Sequence, residues 1–232
     1  MRIAQGRAAG NHGGLPATVV TAVLALAGLT CIGLGVTHQQ HPPQPPLGSP
    51  GAAPRAPASA SRRLGPPVVG PPVVGPVLAA SEPLELAIPA IGVRSALLPL
   101  GLTAAGSLAV PAPGPRYNEA GWYRYSPTPG SLGPAVIVGH VDSAAGGPSV
   151  FFRLGALRRH DTVLITRADG SVAVFAVDDV HRYAKERFPS QLVYGNTDHA
   201  GLRLITCGGP FEHASGHYLD NIVVLASLVP SG

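Results

Sequence analysis

The sequence predicts a mainly β domain, a sandwich or barrel, over residues 81–232, and three observations predict it. From Ser81 onward, short apolar runs are broken by Gly, Pro and Asp at intervals of roughly ten residues. Asp169-Gly170 stands between two such runs, and glycine accepts the positive φ that a tight hairpin turn requires. A single stretch, Pro148 to Arg159, carries apolar residues at helical spacing (Val150 or Phe151, Leu154, Leu157), with Pro148 tolerated at its start. The predicted strands are Leu84 to Ile88, Ala96 to Pro99, Ser107 to Val110, Ala135 to His140, Thr162 to Arg167, Ser171 to Val180, Leu202 to Cys207 and Asn221 to Leu228. A span of about 150 residues is ample for one hydrophobic core.

The rest of the chain reads differently. Of 232 residues, 30 are Gly and 26 are Pro, unevenly spread, with half of the prolines packed into the stretch ahead of the β domain, so the folded part is smaller than the whole. Residues 1–14 form a short tail carrying Arg2 and Arg7. Leu15 to Thr37 then runs without a charge for about 23 residues, enough to cross a bilayer as a helix. Its apolar run is longer than that of a cleaved signal peptide and leads into His38-Gln39-Gln40-His41, and it has no polar face to present to solvent, so an uncleaved anchor is expected. The nearby positive charge lies on the N-terminal side, and the first basic residue beyond the segment is Arg55. The positive-inside rule therefore puts the N-terminus in the cytoplasm and the β domain outside, a single-pass cell-membrane protein. Residues 38–80, with the tandem GPPVVGPPVVGPV from Gly65 to Val77, read as a disordered Pro/Ala/Gly-rich linker that favours extended conformations and acts as a spacer. The net charge of +4 comes without a dense Lys/Arg block, which does not suggest nucleic-acid binding.

Two cysteines bear on function. Cys31 lies inside the apolar segment and behaves as a small hydrophobe, whereas Cys207 has no intrachain partner. A lone thiol in an exported domain points to intermolecular pairing or to a reactive group. Cys207 closes the run Leu202-Arg203-Leu204-Ile205-Thr206 and precedes Gly208-Gly209-Pro210, so a strand ends at the thiol where glycine lets another backbone approach. An inert core cysteine fits the same spacing. A thiol nucleophile needs a basic neighbour, usually histidine. Of nine histidines, His140 ends the apolar run Ala135 to Gly139 and opens the polar turn Val141-Asp142-Ser143, while His160, His181 and His199 sit among charged or turn residues. A structural role for His140 stays open on the residues alone. His213 and His217 follow Cys207 at C-x5-H-x3-H, but a zinc site wants three or four ligands, and the short C-x2-4-C arm is missing. Asp178-Asp179 reads as a solvated strand end, because adjacent strand residues face opposite sides.

Gly139-His140-Val141-Asp142-Ser143 paired with Leu204-Ile205-Thr206-Cys207-Gly208-Gly209 resembles the sortases, and is most similar to the actinobacterial group called class F. The resemblance runs from about Leu84 to Ala226 and takes in Ile88-Pro89-Ala90-Ile91-Gly92-Val93, Gly121-Trp122-Tyr123 and Tyr218-Leu219-Asp220-Asn221-Ile222-Val223-Val224. It implies a closed eight-stranded barrel with one or two short helices and no metal cofactor. It also implies a cysteine transpeptidase in which Cys207 attacks an LPxTG-like sorting signal to give a thioester. His140 protonates the departing amine, and an acceptor amine from a cell-wall precursor or a pilin resolves the thioester. The expected partners are thus sorting-signal peptides of secreted proteins, that amine acceptor, and the membrane through residues 15–37. One family element is missing: the arginine expected after the cysteine has no counterpart, since no arginine follows Cys207. Leu219 or Asn221 falls near its place, and only an asparagine amide could donate a hydrogen bond there. Arg124 and Arg203 are the other candidates. The competing readings are a catalytically impaired, peptide-binding domain of the same family, and another extracytoplasmic cysteine peptidase or an L,D-transpeptidase, the last disfavoured by the absence of an S-x-G-C motif around Cys207.

Overall fold

The computed structural model describes residues 41–48, 72–144 and 146–230, which belong, His41 apart, to one compact unit spanning Pro42–Gly232. The predicted anchor at Leu15 to Thr37 lies outside the described residues. Among those described, no helix is long and apolar enough to cross a membrane.

Ten strands are formed: β1 (Pro83–Ile88), β2 (Val93–Leu100), β3 (Ala120–Tyr123), β4 (Gly133–Val138), β5 (Asp142–Ser143), β6 (Gly147–Pro148), β7 (Thr162–Arg167), β8 (Val172–Ala184), β9 (Ala200–Glu212) and β10 (His217–Leu228). Eight of them close a barrel in the order β1-β2-β3-β4-β9-β10-β8-β7, and β5 and β6 make a separate two-stranded pair. Most contacts in the barrel are antiparallel, but β2 pairs with β3, and β4 with β9, in parallel. Both parallel contacts require long crossovers, and the β4 to β9 crossover contains β5 to β8 and a short α-helix, α1 (Ser190–Tyr194).

Alternation along the strands builds two hydrophobic layers. Ala135 and Ile137 of β4, Leu202 and Leu204 of β9, and Ile222 and Val224 of β10 face the barrel interior, where Phe151 and Leu154 plug the core. The intervening residues Val136, Val138, Ile205, Val223 and Leu225 face outward and are buried with Tyr183 and Val193 of α1. The fully apolar sequence of β4 follows from being covered on both faces.

Four sequence expectations are corrected. The strand predicted to end at Cys207 runs on as β9 to Glu212, because Gly208 to Glu212 keep pairing with β10, so the thiol lies within a strand. Pro148 to Arg159 is not an α-helix: Gly147–Pro148 is β6, and the following backbone bonds run from Phe152 to Ser149, Leu154 to Phe151, Ala156 to Arg153 and Leu157 to Leu154. The apolar period of Phe151, Leu154 and Leu157 is three, which suits tight 3₁₀-type turns and not the 3.6 of an α-helix. Ser107 to Val110 is no strand; only an isolated bridge links Leu108 to Leu102, and β3 takes the place beside β2. Asp178-Asp179 is not a strand end, because β8 continues to Ala184 through a bulge between Val177 and Asp179. There Asp178 accepts from the Ser227 hydroxyl at 2.6 Å, and Asp179 lies 3.1 Å from His181 Nε2.

Two pieces of the Pro-rich region lie on the barrel. In Pro42–Gly48, Pro42 and Pro45 are buried, Gly48 N–H donates to Arg182 O at 2.8 Å, and Arg182 N–H donates to Pro46 O at 3.1 Å. Further on, Val74 N–H donates to Asp198 O and Leu78 N–H to Gly130 O, each at 2.7 Å, and the buried Arg167 guanidinium donates to Ala79 O.

Candidate active site

The site grows out of the parallel ladder of β4 and β9. Val138 is in register with Ile205, and Gly139 N–H extends the ladder by donating to Ile205 O at 3.2 Å. The Thr206 hydroxyl, turned inward, donates to Gly139 O at 2.8 Å and ties the two strands together. The next residue on one strand is His140, and on the other it is Cys207. Arg203, Ile205 and Cys207 alternate onto the outer face, so the thiol emerges there, half-buried and free. Glycine at 139 is required by packing, because a methyl group there would lie 2.7 Å from both Phe151 and Val150 side chains.

On the other flank, β10 is antiparallel to β9 with Asn221 directly opposite Cys207, and β8 places Tyr183 opposite Asn221. Directly opposed residues share a face, with Cβ atoms about 5 Å apart. His140, just past the end of β4, thus stands beside Cys207 within β9, and Asn221 within β10 faces the thiol from the other side.

His140 is itself held. Its ring lies flat on Tyr117, with centroids 3.9 Å apart and planes inclined by 4°. Its Nε2 is 2.8 Å from the Pro111 carbonyl oxygen. The Tyr117 hydroxyl donates to Asp142 O at 2.9 Å, and the Tyr218 hydroxyl donates to the Asp142 carboxylate. Burial, followed by the negative charges of Asp142 and a Cys207 thiolate, pushes the Tyr117 phenol above its ordinary range. The Tyr218 phenol is pushed up further, by burial, by its bond to Asp142 and by the same two charges. Both phenols therefore stay protonated and donating, close enough to Cys207 to feel its charge.

A family model described as the sortase domain matches residues 86–229. The chain belongs to the sortase family. Solved structures with a similar fold include Sortase A from Corynebacterium diphtheriae, at 20% identity and a TM-score of 0.48, covering 66% of this chain and 64% of that one. This chain thus spans just under two thirds of that protein's length. Others are a Clostridium perfringens Sortase D5 transpeptidase (17% identity, TM-score 0.46, covering 64% of this chain and 79% of that one) and Group B Streptococcus Pilus Island 1 Sortase C2 (16%, 0.45, 63% and 73%). No curated protein sequence matches.

In this sortase the arginines named from sequence do not reach the thiol. Arg124 donates to the Tyr125 hydroxyl at 2.9 Å and packs over that ring. Arg203 lies four residues before Cys207, about 13 Å along the strand. It is 4% exposed and donates to the carbonyl of its own neighbour Leu202. Burial pulls its guanidinium down to about 10, partly offset by Asp178. Leu219, about half exposed, has no polar group to offer. Another guanidinium, that of Arg182 on β8, is 3.2 Å from the Asp220 carboxylate and 3.4 Å from Gln44 Oε1, the same oxygen that accepts from Gly209 N–H at 2.8 Å, but it stands opposite the inward-facing Ile222 and so on the other face of the sheet from Cys207. Tyr117, Asp142 and Tyr218 were also not singled out for a role, although Asp142 and Tyr218 fall within the two motifs. Tyr117 gave no signal, since a stack between residues 23 apart has no local pattern. His213 packs edge-on to Phe211 at 5.2 Å, and both it and His217 are exposed.

Proposed function

We propose that the chain is a membrane-anchored sortase, held by residues 15–37 with its N-terminus in the cytoplasm and its barrel outside. It cleaves an LPxTG-like sorting signal through a thioester on Cys207, releases the fragment C-terminal to the cut, and transfers the acyl part held on sulfur to an amine of a cell-wall precursor or a pilin. The observation that supports this reading is the juxtaposition of His140, just past the end of β4, with Cys207 on the neighbouring parallel strand β9, and Asn221 across from the thiol.

In the first half-reaction the Cys207 sulfur bonds to the peptide carbonyl carbon, the C–N bond breaks, and His140 gives its proton to the departing amine. In the second half an acceptor amine bonds to the same carbon, its proton passes to His140, and the C–S bond breaks to release thiolate. The Asn221 amide and nearby backbone N–H groups stabilise the oxyanion formed in each half. An extended peptide has room on the outer face. Val136, four residues before His140, lines an open pocket of about 420 Å³ with Tyr123, Tyr125, Leu108 and Tyr194.

The full-length chain in detergent, mixed with a sorting-signal peptide library and hydroxylamine, tests the reading by mass spectrometry. Peptide hydroxamates and a thioester adduct on Cys207 are expected, both lost in Cys207→Ala. One observation favours a second reading, a catalytically impaired peptide-binding domain: Arg203 is buried against its own strand and Arg124 is engaged by Tyr125. Peptide binding with neither adduct nor hydroxamate would establish that reading and overturn the first.

A further inference from the structure

Two contacts on His140 come from a single connection, residues 101–119 between β2 and β3. Pro111 places its carbonyl oxygen 2.8 Å from Nε2, and Tyr117 lays its ring on the imidazole at 3.9 Å and 4°. A carbonyl only accepts, so the ring nitrogen facing it carries hydrogen whether the imidazole is neutral or charged. The proton that can leave is then the one on Nδ1. A single hydrogen bond does not hold that arrangement, because the terminal torsion of histidine is broad and roughly two-fold, and a half-turn exchanges Nδ1 with carbon. The parallel stack restricts this torsion. Tyr117 is fastened in turn by its hydroxyl on Asp142 O, and its neighbours by Arg116 to Glu119 at 2.7 Å and Ser149 to Asn118 at 2.8 Å.

We propose that Tyr117 and the Pro111 carbonyl form a positioning clamp that keeps His140 in its Nε2–H form and makes Nδ1 the nitrogen through which the transferred proton passes. The proposal rests on the reading of His140 as the acid and base that serves Cys207. Under it, the Nδ1 proton goes to the amine nitrogen as the C–N bond breaks, and Nδ1 takes a proton back from the acceptor amine as the new C–N bond forms. Tyr117 touches neither substrate nor sulfur; it acts through the imidazole.

The test is long-range ¹⁵N NMR of histidine-labelled, full-length chain in detergent, which reports the tautomer of His140 directly, with His140→Gln identifying its signals. Wild type is expected to show protonated Nε2 and unprotonated Nδ1 at a pH where the ring is neutral. Tyr117→Phe keeps the stack and is expected to retain that signature, with kcat within about threefold. Tyr117→Leu keeps apolar bulk but loses the ring, and is expected to give mixed tautomers and a kcat lowered at least about tenfold with KM nearly unchanged. A wild-type signature of protonated Nδ1 overturns the clamp without any variant. So does a Tyr117→Leu protein that melts as wild type does and keeps both the pure tautomer and full turnover. If the chain proves inactive, the tautomer spectra still decide the clamp, while the loss of activity counts against the functional reading alone.

Discussion

Asn221 is the residue on which sequence and structure converge most closely. A chain without arginine after its cysteine left two residues near the expected place, and the register puts one of them directly opposite the thiol on the same face. An amide there donates one good hydrogen bond to a developing oxyanion, and loss of such a donor typically costs about a hundredfold in rate. Asn221→Ala is accordingly expected to lower turnover about a hundredfold with the melting temperature unchanged. A fall in melting temperature with full turnover of the folded enzyme would assign Asn221 to strand structure instead. Cys207 and His140 could be read from sequence because each ends an apolar run beside glycine. Tyr117 could not, because what brings it to His140 is the connection between β2 and β3, which leaves no mark on neighbouring residues.

Among the elements, the strands were legible and the turns less so. β4, β7 and β9 announce themselves as uninterrupted or alternating apolar runs. β3, four residues long and containing Gly121, has too little sequence for a period to show. The Phe151-Leu154-Leu157 repeat was legible as apolar spacing but not as backbone, since periods of 3 and 3.6 barely separate over two turns. The ladder that joins β4 to β9 depends on Gly139, and its packing gives a direct prediction. Gly139→Ala forces a methyl group against Phe151 and Val150. It is expected to cost about 1–3 kcal/mol, read by urea denaturation, and to lower turnover because His140 is the next residue. The Pro42–Gly48 strap makes a second prediction. Its Gln44 accepts from Gly209 N–H, so Gln44→Ala is expected to speed hydrogen exchange at the Gly209 amide while leaving the β10 amides protected as before. Unchanged exchange at Gly209 would show that the strap does not hold that loop in solution.

At the scale of the whole molecule, the proposed orientation places the barrel outside the cell, and protease added to intact protoplasts is expected to remove it while sparing the N-terminal tail. Complete protection of the barrel would reverse the orientation. Pro42 is the first residue of the unit that holds the barrel. From there the strap runs through Gln44 on Gly209 to Gly48 on Arg182, so one of its fastenings to the barrel is made two residues beyond Cys207. A change of tension or position in the chain ahead of Pro42 would therefore be felt at the backbone beside the nucleophile.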